Sequence, residues 1–208
     1  MGIIKNMSER LEDIIAARKK KLTAIKKAGI DPYPSSTNRT HTNQEAVEQF
    51  DKLVDKKITL VGRLRSWRDM GKLVFAHIED GTGKMQVLFK KDEVGEEQFK
   101  FLMDNFDIGD FVEATGTLFK TKTNEKTLQA NSYRLLAKSL RPLPSAWYGL
   151  EDVEERYRQR YVDLIMSPEV KKVFEIRHEV IRLIRKFMEG KGFVEVETPL
   201  LTKSTPEG

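Results

Sequence analysis

The strongest constraint on the fold is a change of hydrophobic period at Lys57, where a helical pattern gives way to alternation of apolar and polar residues. The first predicted strand has Ile58, Leu60, Gly62 and Leu64 on one side and Thr59, Val61, Arg63, Arg65 and Trp67 on the other. Turns over 69–72 and 80–83 lead into two more alternating runs, a short helix is predicted over 96–105, and two further strands follow near 111–119 and 127–135. Such alternation is typical of strands with one buried face.

The order of these elements is strand, strand, strand, helix, strand, strand. This is the order of an OB-fold, a five-stranded Greek-key barrel that binds oligonucleotides or oligosaccharides. Helical periodicity over 8–28 and 43–55 predicts two N-terminal helices before the barrel. We therefore expect an α+β chain with a five-stranded OB-fold β-barrel and N-terminal helices.

Composition divides the chain into four parts. Residues 1–56 form a helical extension, 57–140 the barrel, 141–150 a proline-rich linker beginning Arg141-Pro-Leu-Pro-Ser, and 151–208 a last segment. In the last segment a long helix is predicted from Pro168 to Glu189, followed by a strand over 193–197 that Pro199 ends. The basic run at 18–21 fits either a phosphate-binding arm or an ordinary solvated helix face.

The overall composition excludes several classes of protein. The 208 residues include no cysteine, so disulfides, thiolate metal sites and cysteine nucleophiles are ruled out. No apolar run approaches the roughly 18 residues of a membrane helix, and the start has no apolar signal region, so we expect a cytoplasmic protein. His41, His77 and His178 lack ligand spacing, and no metal site is expected. A net charge of +5 is compatible with a nucleic-acid partner.

The alternating pattern points to one candidate binding surface on the barrel. In the second strand Val74, Ala76 and Ile78 account for the core, which places Phe75 on the opposite face, beside Gln86 of the next strand. An exposed aromatic ring next to amide and guanidinium groups suits a single-stranded nucleic acid, since a ring stacked on a base contributes roughly 1–3 kcal/mol. The alternative is that Phe75 packs beneath the N-terminal helices.

A series of short motifs runs through the chain. They are Ile30-Asp-Pro-Tyr-Pro, Gly109-Asp, Leu118-Phe-Lys-Thr-Lys-Thr-Asn-Glu, Leu140-Arg-Pro-Leu-Pro, Tyr148-Gly-Leu, Glu155-Arg-Tyr-Arg-Gln-Arg-Tyr-Val-Asp-Leu and Gly192-Phe-Val-Glu-Val-Glu-Thr-Pro-Leu-Leu. In their order and spacing, from Met7 to Gly208, they resemble the class II lysyl-tRNA synthetases. The resemblance implies that the OB-fold binds the U-rich anticodon of a lysine tRNA.

The resemblance also implies roles for single residues. Phe75 matches the aromatic residue that stacks on a base, and Gln86 and Glu125 match polar groups that read anticodon bases. Arg68 falls in the arginine-bearing stretch before the glycine turn. Trp67 stands where a second basic residue often occurs, and Arg65 or Arg68 could compensate for it.

The segment from Glu169 to Leu201 resembles motif 1 of class II synthetases, a long helix joined to a strand, and so implies the opening of an incomplete catalytic domain. In that family motif 1 forms much of the homodimer interface. The corresponding residues here are Val173, Ile176, Val180, Ile184, Phe187 and Pro199. The alternative for this apolar stripe is packing within the chain.

The complete enzyme of this family would use ATP and Mg²⁺ to join L-lysine to lysine tRNA. Its motifs 2 and 3 lie downstream of Gly208, so no catalytic residue is assigned in this chain. We expect a truncated synthetase that binds tRNA, holds no cofactor and is inactive alone. Two other readings remain, a stand-alone OB-fold module for single-stranded nucleic acid and a dimerisation fragment.

Overall fold

The computed structural model describes residues 2–144 and 152–199, with side chains from residue 10 onward. The chain divides into two compact units, Met1–Leu143 and Pro144–Gly208. The first unit contains α1 (Gly2–Lys27), α2 (Asn43–Glu48), α3 (Phe50–Leu53), β1 (Ile58–Asp69), β2 (Leu73–Glu79), β3 (Lys84–Lys90), α4 (Lys91–Val94), α5 (Glu96–Asn105), β4 (Phe111–Lys120) and β5 (Lys126–Ala137). The second contains α6 (Val153–Arg158), α7 (Arg160–Met166) and α8 (Pro168–Glu189).

The five strands close into a barrel in the order β1-β2-β3-β5-β4. Neighbouring strands are antiparallel except β3 and β5, which run parallel. β1 is long enough to serve two neighbours, because its first half pairs with β4 and its second half with β2. This topology confirms the predicted five-stranded OB-fold with N-terminal helices.

One strand carries an inserted residue. Leu64 of β1 pairs with Ile78 of β2, but the next pair is Ser66 with His77, which leaves Arg65 as the extra residue. A β-bulge of this kind exchanges the faces of all residues beyond it, because side chains alternate with a period of two.

The bulge moves Trp67 to the core side of the barrel. Trp67 pairs with the buried Ala76, packs against the core, and stacks on Phe89 with 6.4 Å between the ring centroids. The prediction that Trp67 shares a face with Arg63 is therefore wrong, because simple alternation does not allow for an inserted residue.

Apolar residues at the predicted inward positions fill the barrel. The inward side chains of β2 and β3 are at most 2% exposed: Val74, Ala76, Ile78, Met85, Val87 and Phe89. Burying a large aliphatic side chain contributes about 1.5–3 kcal/mol, so this set is a major source of stability. Phe99 and Leu102 of α5 join the same core.

Two strands approach each other too closely for a side chain at Gly116. The register of β4 against β5 shifts between Thr115 and Gly116. A Cβ atom at Gly116 would lie 1.9 Å from the carbonyl oxygen of Gln129, far inside van der Waals contact. Glycine is therefore required at this crossing.

Helix α1 begins at Gly2, six residues before the predicted start at residue 8, and buried polar contacts attach it to the barrel. The guanidinium of Arg18 is 8% exposed and donates to the carbonyl oxygens of Ile108, Ser139 and Arg141 at 3.0, 3.2 and 3.1 Å. These bonds connect the middle of α1 to the segments before β4 and after β5.

A cluster of charges reinforces this attachment. The ammonium of Lys138, which is fully buried, contacts Asp107 at 2.5 Å and Asp110 at 2.7 Å, and Lys21 of α1 contacts Asp107 at 2.7 Å. Burial opposes ionisation of Asp107, but its hydrogen bonds to Lys138 and Lys21 lower its pKa overall. Arg18 and Lys21 therefore hold α1 in place, whereas Lys19 and Lys20 are exposed.

The predicted helix over 43–55 is broken at Gln49 into α2 and α3, and Phe50 and Leu53 of α3 are buried. The turn between β2 and β3 is fixed to the start of α2 through Asp80. One carboxylate oxygen of Asp80 accepts from the amides of Thr82 and Gly83 at 2.8 and 3.0 Å, and the other from the amide of Asn43 at 3.0 Å. Burial opposes ionisation, but these bonds and the Thr82 hydroxyl lower the pKa of Asp80 overall.

The second unit contains three helices, and α8 runs over the predicted range Pro168–Glu189. The predicted strand over 193–197 is wrong: residues 193–199 form neither strand nor helix. Val194 is 83% exposed and Val196 72% exposed. A strand needs backbone hydrogen bonds to a neighbour, and no residue in the described part of the chain pairs with this segment.

Candidate nucleic-acid interface

The outer face of β1, β2 and β3 carries a row of side chains centred on Phe75. Phe75 pairs with Arg68 of β1 on one side and with Leu88 of β3 on the other. Val74 and Ala76, its neighbours in sequence, are completely buried on the inner face, whereas Phe75 is half-buried and lies outside the hydrophobic core. Its ring is thus available on the outer surface, next to the exposed guanidinium-bearing side chain of Arg68.

The next row of side chains on this outer face, two residues further along β2 from Phe75, is polar. It runs from Ser66 through His77 and Gln86 to Thr127 of β5. Gln86 is 9% exposed, and its side-chain oxygen accepts a 2.6 Å hydrogen bond from the hydroxyl of Thr127, which is fully buried. Among the described residues the amide nitrogen of Gln86 has no partner, so it can donate to a ligand.

Glu125 reaches this row from the turn between β4 and β5. The turn is closed by hydrogen bonds between Thr121 and Glu125, with Asn124 in the left-handed region at φ 64°. One carboxylate oxygen of Glu125 lies 3.1 Å from Nε2 of His77. The fold therefore brings Glu125 into contact with His77, on the face that carries Phe75 and Gln86, although it lies about fifty residues from Phe75 in sequence.

Arg65 and Arg68 are in different environments. Arg65 is the bulge residue, and its guanidinium makes a 2.8 Å ion pair with Glu79. Arg68 is exposed and stands directly opposite Phe75. Of the two, Arg68 is the better placed to contact a phosphate next to a stacked base.

Lysines in the turns add positive charge at the border of this face. Lys72 lies between β1 and β2, Lys84 begins β3, and Lys122 lies in the β4–β5 turn, and all three are exposed. Positive charge around an aromatic platform is the arrangement found in proteins that bind single-stranded nucleic acids.

Sequence reasoning missed three residues of this surface: Ser66, His77 and Thr127. His77 lies two positions after Phe75 and therefore shares its face, but the sequence analysis weighed it only as a metal ligand. Ser66 faces outward only because of the bulge, and Thr127 depends on the parallel pairing of β3 with β5. Neither the bulge nor the parallel pairing can be recognised from the local alternation of apolar and polar residues.

The residues assigned to motif 1 lie in the second unit. Five of them form an exposed apolar stripe along α8, between 49% and 64% exposed: Val173, Ile176, Val180, Ile184 and Phe187. Pro199 is also exposed and lies in the irregular segment after α8. Within the described part of the unit this stripe is left uncovered.

Two negative findings apply to residues 2–144 and 152–199. None of the helices there has the length and apolar character needed to cross a membrane. That part of the chain also contains no group of three or more acidic or histidine side chains arranged to hold a metal ion.

Comparison with known proteins agrees with this architecture. Residues 58–136 match the family model described as an OB-fold nucleic acid binding domain, and residues 152–208 match that of the class II tRNA synthetases (D, K and N). The chain is 47% identical over 193 residues to a lysine–tRNA ligase of Pelotomaculum thermopropionicum, which covers 93% of this chain and 38% of the relative.

Two more lysine–tRNA ligases give the same result. That of Carboxydothermus hydrogenoformans is 46% identical over 193 residues, or 93% of this chain and 39% of the relative. That of Aquifex aeolicus is 54% identical over 155 residues, or 74% of this chain and 26% of the relative. The chain thus spans about two fifths or less of the length of these relatives, and over that segment it is similar to the lysine–tRNA ligases, with an OB-fold domain followed by part of a class II synthetase domain.

Proposed function

We propose that the outer face of β1–β3 binds the anticodon loop of a lysine tRNA. The observation that carries this proposal is the partly exposed ring of Phe75, which lies opposite Arg68 and on the same face as Gln86 and His77. Glu125 contacts His77 on that face. The relatives' shared name, lysine–tRNA ligase, supports lysine tRNA as the partner.

The chemistry of this surface suits uracil. A base stacked on Phe75 would gain roughly 1–3 kcal/mol. The amide nitrogen of Gln86 can donate to a base carbonyl, and the carboxylate of Glu125 can accept from a base N–H. Uracil offers both groups on its pairing edge, whereas cytosine has no N–H at its ring nitrogen N3. Arg68 would contact a flanking phosphate.

We further propose that the complete protein uses ATP, Mg²⁺ and L-lysine to charge lysine tRNA, and that it works in the cytoplasm. ATP and its metal supply the activation of the amino-acid carboxyl group. The contribution of this segment is to bind and orient the tRNA.

The exposed stripe on α8 supports a second part of the proposal, that the complete protein is a homodimer. Five large apolar side chains on one helix face form a surface of the kind that obligate interfaces cover. Sedimentation at increasing concentration tests this point, since Ile176→Asp would shift a dimer to monomer and leave a monomer unchanged.

The anticodon proposal is tested by RNA binding. The probe is an RNA stem-loop with UUU at the centre of its loop, compared with a stem-loop carrying CCC there. We expect Phe75→Ala to weaken binding of the UUU loop about tenfold or more, because the stacking surface is lost. Phe111→Ala is the matched control, since Phe111 is an exposed aromatic residue on β4, outside this face.

The same measurement separates the two binding hypotheses. A preference for UUU over CCC that is lost in Phe75→Ala supports anticodon recognition. Equal affinity of the unmodified protein for both loops supports a general single-strand module instead. Unchanged binding by Phe75→Ala contradicts both, because each requires the ring as a stacking platform.

A further inference from the structure

A chain of hydrogen bonds joins three residues of the proposed interface. Nδ1 of His77 lies 2.8 Å from the hydroxyl of Ser66, and Nε2 lies 3.1 Å from a carboxylate oxygen of Glu125. The three residues come from β1, β2 and the β4–β5 turn, so the imidazole bridges three separate elements. Of these three side chains, that of His77 contacts both of the other two.

The chemistry of the three side chains determines which atom donates and which accepts in each of these hydrogen bonds. An ionised carboxylate only accepts hydrogen bonds, so the hydrogen between His77 and Glu125 is carried by Nε2 of the imidazole. In the neutral imidazole Nδ1 is then an acceptor, and the Ser66 hydroxyl donates to it. One oxygen of Glu125 is thereby occupied, and the other is left to accept from a ligand.

We propose that Ser66 and His77 are positioning residues that hold the carboxylate of Glu125 in one orientation, so that its second oxygen distinguishes uracil from cytosine. This inference rests on the anticodon-binding function proposed above. Glu125 is exposed and lies in a turn, so without His77 its side chain would sample several rotamers. A carboxylate held in place accepts from the N3–H of uracil and meets only a lone pair at N3 of cytosine.

The test compares binding of the UUU stem-loop with three stem-loops in which one uracil is replaced by cytosine. Binding is measured at pH 8, where imidazole side chains are ordinarily neutral. His77→Leu removes the bridge, and His77→Gln retains a donor close to the position of Nε2. His41→Leu is the matched control, because His41 lies in the loop before α2 and bonds only locally, to Thr40.

We expect the unmodified protein to prefer uracil about tenfold or more at one loop position, the effect of one hydrogen bond to a charged group. His77→Leu should reduce that preference to about twofold, mainly by weakening the UUU complex, and His77→Gln should restore most of it. His41→Leu should retain the full preference.

The outcomes separate this inference from the function on which it rests. An unchanged uracil preference in His77→Leu overturns the positioning role and leaves anticodon binding intact. Equal weakening of all four RNAs also overturns it, because His77 would then support only the fold. No preference in the unmodified protein overturns both proposals.

A second measurement needs no variant. Nitrogen-15 NMR of the His77 ring reports which nitrogen carries the hydrogen in the neutral imidazole. We expect hydrogen on Nε2, and a neutral ring with hydrogen on Nδ1 would overturn the proposal, since Nε2 could not then donate to Glu125.

Discussion

Replacing Thr127 by valine should loosen Gln86 without changing the shape of the barrel. Valine has nearly the volume of threonine, but it lacks the hydroxyl that donates a 2.6 Å hydrogen bond to the side-chain oxygen of Gln86. Thr127 is fully buried and Gln86 is 9% exposed, so water cannot easily replace the lost donor. Gln86 would therefore lose the bond that fixes its amide for donation to a base.

The size of the effect follows from these contacts. A buried acceptor left unsatisfied costs about 1–3 kcal/mol. Burial of the methyl group that replaces the hydroxyl offsets up to about 0.8 kcal/mol of this loss of stability. We expect a net loss of about 1–2 kcal/mol in the free energy of unfolding, which lowers the urea midpoint by roughly 1 M. Freeing the Gln86 rotamers should also weaken UUU binding about fivefold.

Urea unfolding and stem-loop binding check the two parts separately. Thr59→Val is the matched control, since the Thr59 hydroxyl is also buried and lies 2.9 Å from that of Thr115, away from the interface. It should lower stability and leave RNA binding unchanged. If Thr127→Val unfolds at the same urea concentration and binds RNA as tightly as the unmodified protein, the reasoning about Gln86 is refuted.

Two further predictions concern the barrel itself. Because the pKa of Asp80 is lowered in the fold, its ionised form stabilises the protein at pH values above the ordinary pKa of 3.8. This stabilisation is lost as the pH falls below 3.8. Asp80→Asn should therefore make the stability measured by urea unfolding depend less on pH on the acid side. An unchanged profile would contradict the assigned role. Gly116→Ala should lower the free energy of unfolding by about 3 kcal/mol in thermal unfolding, because its Cβ would lie 1.9 Å from the carbonyl oxygen of Gln129. Gly81→Ala is the control and should be near neutral, since nothing lies within 4 Å of a Cβ there. Equal effects of the two alanines would disprove the steric argument.

Local alternation predicted the barrel and the outward position of Phe75, because each strand of an OB-fold buries one face and the pattern is readable over a few residues. Alternation failed at Trp67, where one inserted residue reversed the faces. It could not bring Glu125 next to His77, since that contact depends on how β4 and β5 close the barrel. The pattern over 193–197 alternates valine with glutamate, as in a strand with one buried face, but a strand is defined by its partner, and local sequence does not supply one.

The buried ion cluster beneath α1 has a consequence for how binding responds to ionic strength. The chain carries 37 lysines and arginines, but many of them neutralise charges of the protein itself: Lys21 and Lys138 pair with Asp107, Arg65 with Glu79, and Arg134 with Glu113. Only cations that face solvent can release counterions from a polyanion, at about 0.7 per neutralised phosphate of a single strand. Added salt should therefore weaken RNA binding far less steeply than the number of basic residues suggests.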